Sequence, residues 1–258
     1  MPLSLGWQRL GTEGPEWAGS IGQSAGSVPD SPDDLVTRLI RRPMALKERL
    51  EAVARDARER CPDNMALIDG FVARLEAAQA GQGAPAAGEM FPPFMLPDHE
   101  GRLADLAQLH RDRPLVIVFH RGHWCPYCRV TLASIAEAQV QLASARIVAI
   151  SAEMQRYTRR IRAETQCHFR FLSDMDAEFA RSAGLAVTFD PAIQQLYLRL
   201  GKRIPDFLGS RGWTLAIPAV FVLDRQGIVR ARHIDPDFRR RMEIDALIKA
   251  VAGLGSVG

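Results

Sequence analysis

Apolar residues recur at helical spacing in the first third of the chain. Between residues 31 and 80 they fall three, four or seven positions apart, and the spacing restarts after a Cys-Pro turn at residues 61–62. The first group is Leu35, Leu39, Leu46, Leu50 and Val53, and the second is Ile68, Phe71, Val72 and Leu75. We therefore predict a helical segment over residues 31–80, with a break at Pro43.

The stretches on either side of this segment have no apolar period. Residues 1–30 are rich in Gly, Ser and Pro and have no basic segment followed by an apolar run. We expect them to form a disordered extension and not a secretion signal. Residues 81–89 are mostly Gly, Ala, Pro and Gln, which is a linker composition. The predicted division is an extension (1–30), a helical segment (31–80), a linker (81–89) and a main domain (90–258).

The main domain alternates short apolar runs with helical stretches. The runs at 115–119, 147–150 and 219–223 have no polar position, as is typical of strands buried on both faces. A turn at residues 224–227 joins the last run to a further strand. The predicted order is β-α-β-α-β-α followed by β-β-α. This order indicates an α/β fold whose central sheet is parallel, with an antiparallel hairpin at one edge.

Composition and charge exclude two classes of partner. The net charge of +3 is too small to indicate nucleic-acid binding, and no apolar run approaches the ~20 residues that span a bilayer. Two arginine clusters, at residues 159–162 and 239–241, are interpreted as solvated helix faces, with anion binding as the alternative. We expect a cytoplasmic protein that binds neither nucleic acid nor a membrane.

The four cysteines indicate thiol chemistry more than structural disulfides. A chain without a secretion signal is expected in a reducing compartment, where a close cysteine pair serves catalysis or metal binding. Cys125 and Cys128 follow a predicted strand and open a helix. The free N–H groups and the dipole at a helix N-terminus stabilise the thiolate of Cys125, and Pro126 suits the first helical position.

Other interpretations of this pair remain. Together with His120 and His123, the pair has the residue types of a zinc site. However, His120 ends a predicted strand and Cys128 lies inside a predicted helix, so the four side chains would converge poorly on a tetrahedral metal. The two cysteines are also compatible with an inert core position. We expect no metal and no other cofactor. Cys61 and Cys167 are isolated in the sequence. Each is interpreted as a structural cysteine, with a distant resolving thiol as the alternative.

Three segments of the main domain resemble a known family. Residues 94–101 (FMLPDHEG), 118–128 (VFHRGHWCPYC) and 217–227 (IPAVFVLDRQG) are similar to the peroxiredoxin-like branch of the alkyl hydroperoxide reductase/thiol-specific antioxidant (AhpC/TSA) family. The resemblance covers about residues 90–251. It implies a thioredoxin-like fold with a central mixed sheet flanked by helices, a thiol redox activity, and an N-terminal helical extension that belongs to this branch.

The sequence departs from that family at the site itself. Peroxiredoxins have Pro at the position of Arg121, Thr or Ser at the position of Cys125, and an arginine about where this chain has Pro218. Their peroxidatic cysteine corresponds to Cys128. Arg121 or Arg225 is a candidate replacement for the missing arginine. The Cys-x-x-Cys pair and the Ile-Pro at 217–218 instead resemble thioredoxin, in which that proline follows a cis bond beside the active disulfide.

The residues and the resemblance together give our functional hypothesis. Cys125 and Cys128 are the predicted catalytic pair, with Cys125 attacking a substrate disulfide and Cys128 resolving the mixed disulfide. The residues expected to shape the site or tune the thiolate are Arg121, His123, Trp124, Pro126, Tyr127 and Pro218.

Two alternative functions, the electron donor and the oligomeric state stay open. In one alternative, Cys128 reduces a hydroperoxide and Cys125 resolves it. In another, the protein is a redox-responsive module whose helices around residues 46–75 bind a partner. The expected electron donor is a thiol such as thioredoxin, glutaredoxin or glutathione, and the assembly is left between a monomer and a homodimer.

Overall fold

The apolar runs of the sequence become the strands of a mixed sheet. A computed structural model describes residues 32–254, so the extension predicted over residues 1–30 lies outside the described residues. The strands are β1 Met95–Pro97, β2 Leu103–Asp105, β3 Leu115–Phe119, β4 Arg146–Ser151, β5 Arg170–Ser173, β6 Ala186–Thr188, β7 Thr214–Ala216, β8 Ala219–Leu223 and β9 Val229–Ile234. The helices are α1 Pro32–Arg41, α2 Leu46–Arg60, α3 Pro62–Ala77, α4 Leu106–His110, α5 Pro126–Glu137, α6 Gln155–Glu164, α7 Glu178–Ser182, α8 Pro191–Arg199, α9 Ile204–Leu208 and α10 Ile244–Ala252. None of these helices is long and apolar enough to cross a membrane.

The central sheet has the order β5-β4-β3-β8-β9. Strands β3, β4 and β5 are parallel, whereas β8 pairs antiparallel with both β3 and β9. At the centre, Ile117 lies opposite Val148 on one side and Phe221 on the other. The structure therefore confirms the predicted α/β fold with a parallel part and an antiparallel hairpin edge.

The two faces of this sheet bury two separate hydrophobic cores. All five residues of β3 are at most 2% exposed, and successive side chains point to opposite faces. Leu115, Ile117 and Phe119 join the core that also contains both residues of the cysteine pair, whereas Val116 and Val118 pack with α10. The loop after β3 thus carries the cysteine pair onto the first of these two cores.

The N-terminal helices pack on α5, the helix that the cysteine pair opens. The side chain of Arg49 in α2 is fully buried and donates 2.7 Å hydrogen bonds to Ser134 Oγ, Glu137 Oε1 and the carbonyl of Arg42. Asp33 of α1 accepts a 2.6 Å hydrogen bond from Arg129. The helical segment is therefore fixed to α5 by buried polar contacts as well as by apolar packing.

The stretch predicted as a linker is in contact with the sheet. Gly88 donates its N–H to the carbonyl of Val229 at 2.8 Å, and Arg232 in β9 donates to the carbonyl of Ala84. Ala84 itself is 5% exposed. Residues 81–89 thus lie along β9, and the division of the chain into domains stays a prediction.

Several elements differ from their predicted form. The helix after the cysteine pair ends at Glu137, since residues 138–144 form turns, although its periodicity continues to Leu142. The β1–β2 hairpin, the β6–β7 pair and the helices α4, α8 and α9 were not predicted. Strands β1, β2, β6 and β7 have three residues each, too few for a period to be recognised.

The buried guanidinium of Arg49 should make a large contribution to stability. We expect Arg49→Ala to lower the free energy of unfolding by about 3 kcal/mol, because it removes three charge-assisted hydrogen bonds and their packing. Arg55→Ala, on an exposed face of the same helix, should change it by less than about 0.5 kcal/mol. Urea unfolding followed by circular dichroism measures both changes, and equal effects would contradict the assigned role.

Candidate active site

The cysteine pair sits at the start of α5, just beyond the end of β3. Cys125 is the N-cap residue, with extended backbone angles (φ −93°, ψ 112°), and Pro126 occupies the first helical position. Proline fits there because its missing N–H would have no partner inside the helix. Cys128 then falls in the first turn. Both cysteines are free thiols and 1% exposed.

Two arginines lie against the two sulfur atoms. Arg121 Nη1 is 4.0 Å from Cys125 Sγ, and Arg241 Nη2 is 3.8 Å from Cys128 Sγ. The backbone N–H of Arg121 also donates to Cys128 Sγ at 3.3 Å. Positive charge and N–H donors thus surround the pair, and both favour negative charge on sulfur.

The environment separates the two thiols in acidity. Burial by itself would raise the pKa of Cys125, but a hydrogen bond from Cys128 and the charges of Arg121 and Arg241 lower this pKa to about 5. Burial and the adjacent Cys125 sulfur raise the pKa of Cys128 well above its usual value. Near neutral pH the pair therefore holds a thiolate at Cys125 and a protonated thiol at Cys128.

Aromatic rings hold the Arg121 guanidinium in place. Its central carbon lies 3.8 Å from the ring centroid of Phe238 and 4.9 Å from that of Trp124. Its Nη2 donates a 2.9 Å hydrogen bond to the hydroxyl of Tyr197. Cation–π contacts with desolvated rings are favourable, so these groups fix the charge beside Cys125 without neutralising it.

His123 is held away from a tuning role by a buried carboxylate. Glu153 is 0% exposed and accepts hydrogen bonds from the His123 backbone N–H at 2.8 Å and from its Nδ1 at 2.6 Å. Burial raises the pKa of Glu153, and the contacts with His123 oppose that rise. Gly122, at φ +143°, has no Cβ, which would lie 2.6 Å from this carboxylate. The His123–Glu153 pair therefore anchors the loop that carries Cys125.

His120 does not supply a positive charge to the pair. Burial, together with the charge of His123, lowers the pKa of His120 to about 3, so its ring is neutral. Among the residues that the structure describes, neither ring nitrogen has a hydrogen-bond partner. Nor do any three His, Cys, Asp or Glu side chains between residues 32 and 254 lie close enough to hold a metal ion.

Pro218 is near the pair, but its geometry differs from the expected one. It lines a small void together with Cys128 and Arg241, at the start of β8. The Ile217–Pro218 peptide bond is trans, so the cis bond inferred from the thioredoxin resemblance was wrong. A trans proline with no N–H is well suited to the residue directly before a strand.

A cavity of about 350 Å³ ends on Cys125. Its inner wall comes from the active-site loop and includes Arg121, Trp124, Pro126 and Tyr127, while α1, α2 and α3 supply much of the opposite wall. Cys128 is not among the lining residues. The cavity therefore offers a route to Cys125 and not to Cys128. Four of the six site-shaping candidates line it, and His123 and Pro218 do not.

Several groups at the site were not predicted. Arg241 reaches Cys128, although the 239–241 cluster was interpreted as a solvated helix face, and Glu153, Tyr197 and Lys202 come from distant elements. The arginine cluster was the one available signal for Arg241. Arg225, by contrast, lies exposed in the β8–β9 turn, where its carbonyl contacts His110.

The two isolated cysteines have different environments. Cys167 is 2% exposed and contacts Thr165 Oγ1, and burial raises its pKa to about 12. This environment is that of a structural cysteine. Cys61 is exposed at the junction of α2 and α3 and lines the 350 Å³ cavity.

Comparisons with known proteins identify the family and the fold. A family model described as the AhpC/TSA family matches residues 87–232, which is more than half of the chain. Similar solved structures include Peroxidoxin BcpB from Mycobacterium tuberculosis, with 21% identity over 67% of this chain and 99% of that chain and a TM-score of 0.52. Others are a peroxiredoxin-like protein from Aquifex aeolicus (14% identity, 66% and 88% coverage, TM-score 0.53) and reduced Prx3 from Vibrio vulnificus in complex with hydrogen peroxide (16%, 64% and 98%, 0.52). No curated protein matches the chain.

Removing the charge of Arg121 should make Cys125 less acidic. We expect Arg121→Gln to raise the pKa of Cys125 from about 5 by about 1–2 units, because an opposite charge at this distance favours the thiolate. The reactivity of the unaltered protein with iodoacetamide should rise through about pH 5 and level off by pH 7, while that of the variant should level off later.

The matched control is Arg225→Gln, which removes a charge far from the pair and should leave the profile unchanged. Both measurements use a Cys61→Ser background, so that an exposed thiol does not contribute. A profile that is the same in Arg121→Gln as in the control would show that Arg121 does not set this pKa.

Proposed function

Because the chain belongs to the AhpC/TSA family of thiol-dependent oxidoreductases, we propose that it cycles a Cys125–Cys128 dithiol and disulfide to reduce a disulfide substrate. The observation that carries this proposal is the asymmetry of the pair. Cys125 has the lowered pKa and lines the cavity, whereas Cys128 is a buried, protonated thiol that does not line it. An attacking thiol needs access and thiolate character, and Cys125 has both.

The first step is attack of the Cys125 thiolate on one sulfur of the substrate disulfide. The new bond joins Cys125 Sγ to that sulfur, the substrate S–S bond breaks, and the other substrate sulfur leaves as a thiolate. The fixed guanidinium of Arg121 lies beside this position and favours the negative charge as it moves to the leaving sulfur. No other electron acceptor is needed.

The second step is resolution by Cys128. Its thiol loses a proton to solvent or to the departing thiolate, attacks Cys125 Sγ and expels the remaining substrate sulfur, which leaves Cys125 and Cys128 as a disulfide. The Cys125 thiolate is one cause of the raised Cys128 pKa, and this cause disappears when Cys125 enters the mixed disulfide. The Arg121 N–H and Arg241 then favour the Cys128 thiolate. The electrostatics of the site support this order of the two steps.

An external thiol closes the cycle by two-electron reduction of the internal disulfide. Of the expected donors, glutathione is small enough to enter the cavity that reaches Cys125, and two molecules of it supply the electrons for each disulfide reduced. A homodimer is compatible with this scheme, but nothing in the cycle requires a second subunit.

A second candidate function is favoured by the family and by Arg121. In this version Cys125 attacks a hydroperoxide, becomes a sulfenic acid and releases an alcohol or water, and Cys128 then forms the disulfide with loss of water. A guanidinium beside the attacked oxygen would stabilise the developing charge. The raised pKa of Cys128 argues against the arrangement in which Cys128 attacks first.

The remaining alternative was a partner-binding module, and the surface predicted for that binding is buried. The apolar stripe of the N-terminal helices was its predicted interface. Leu46, Leu50 and Val53 are buried in the core that contains the cysteine pair. A surface that is packed inside the protein is not available to a partner.

Trapping the intermediate tests the order of attack. Reduced Cys128→Ser protein, mixed with a small disulfide such as 5,5′-dithiobis(2-nitrobenzoate), should accumulate a mixed disulfide at Cys125, because the resolving thiol is missing. The unaltered protein should release both halves of the reagent and end as an internal disulfide. Mass spectrometry of the intact protein and of its peptides distinguishes these products.

Cys125→Ser is the matched control, with every protein in the Cys61→Ser background. It should react more slowly by about 100-fold or more, because Cys128 is buried and does not line the cavity. Rapid adduct formation at Cys128 in that variant would overturn the assigned roles. Consumption of hydrogen peroxide by the unaltered protein, faster than its reaction with any disulfide, would favour the second candidate function.

A further inference from the structure

The residues that line the cavity next to Cys125 indicate which class of substrate it accepts. Resting on the proposed function, we propose that the substrate is a small-molecule disulfide with an apolar body, which enters the cavity between α1–α3 and the start of α5. The helical segment would then be the part of the protein that selects the substrate. The enclosure, the size and the lining of the cavity support this proposal.

Enclosure excludes a large partner. Cys125 is 1% exposed, and residues of α1, α2 and α3 stand on the far side of the cavity from it. Disulfide exchange needs the attacking sulfur in contact with the attacked one. Because three packed helices enclose one side of the cavity, a disulfide fixed on the surface of a folded protein cannot approach Cys125 through it.

The size indicates a compact organic molecule. A volume of about 350 Å³ lies at the lower end of the roughly 300–1,000 Å³ found for small-molecule sites. Hydrogen peroxide, with two heavy atoms, would fill a small fraction of it. Most of the cavity is therefore available for groups attached to the reacting sulfur or oxygen.

The lining indicates that these groups are apolar. The side chains that face the cavity from the helical segment and from the site are largely aliphatic or aromatic, and they include Val53, Met65, Ile68, Trp124, Tyr127 and Phe238. Of the charged lining residues, Asp56 and Arg60 pair with each other at 2.6 Å. Asp33 is bound to Arg129, and Lys202 donates to the carbonyl of Trp124. These charged side chains therefore already have partners within the protein, and a ligand would contact mainly apolar side chains.

The reacting end of the cavity has the opposite character. Among the described residues, Arg121 is the one buried cation that lines the cavity, and it lies next to Cys125. Arg121 favours a thiolate leaving group at that point. The electrostatic attraction between its guanidinium and the thiolate is stronger in apolar surroundings than in water. The arrangement fits a neutral disulfide that becomes charged only as it is cleaved.

Filling the cavity should abolish this selectivity without affecting the thiolate. We expect Ala57→Trp, on the α2 wall, to slow reduction of 4,4′-dithiodipyridine by about tenfold or more, as the loss of a pocket commonly does. The pKa of Cys125, followed by thiolate absorbance, should not change, because no charge is altered. Asn64→Trp, on the α3 wall, is a second filling variant in case the first one does not fold.

Ala66→Trp is the matched control, because Ala66 is exposed on α3 and does not line the cavity. It should leave the rate unchanged. The unaltered protein is also compared on bis(2-hydroxyethyl) disulfide, a small polar disulfide, and on insulin, a protein disulfide. Each rate is divided by the rate of free dithiothreitol with the same compound, which removes differences in intrinsic reactivity.

The expected result is a normalised preference for the apolar compound over both others. Equal normalised rates for all three, or an unchanged rate in both filling variants, would overturn this inference while leaving the disulfide exchange function intact. If no disulfide is reduced although Cys125 remains a thiolate, the proposed function itself fails.

Discussion

A negatively charged sulfur in a buried position needs positive charge fixed close to it, and the arrangement around Cys125 follows from this requirement. The helix N-terminus supplies part of the compensation, and a hydrogen bond from Cys128 and the charges of Arg121, at 4.0 Å, and Arg241 supply more. Because a buried guanidinium is itself costly, its cation–π contacts and its bond to Tyr197 are needed to keep it there. Residues from the active-site loop, α8 and the segment before α10 are therefore tied to one sulfur.

The same requirement separates the acidities of the two cysteines. A charge on Cys125 opposes a second charge on Cys128, and in the proposed cycle this lets Cys125 attack first while Cys128 stays protonated. The family pattern places its reactive cysteine at Cys128, where this chain has the less acidic thiol. In the proposed function the attacking thiol is Cys125, three residues nearer the helix terminus than the position that the family pattern uses, and the fold is the same.

The N-terminal helices are part of the site. Arg49 and Asp33 attach them to α5, and they form the wall of the cavity that faces Cys125. In the sequence this segment has only an amphipathic period, which is equally compatible with a partner surface or an internal contact. The structure shows the internal contact, because the apolar side of α2 lies in the core that contains the cysteine pair. Much of the cavity wall is thus built by a segment outside the matched family region.

By itself, the sequence determined what local patterns can encode. Continuous apolar runs identified β3, β4 and β8, and the Cys-Pro-Tyr-Cys segment identified the reactive pair, since strand burial and helix-terminus chemistry depend on near neighbours in the chain. Tertiary structure decided the rest. Arg241 reaches Cys128 from 113 positions away and Glu153 reaches His123 from 30, contacts that no local period records. Which thiol is ionised, and what the cavity admits, depend on those distant groups, because charge and enclosure are properties of the assembled fold.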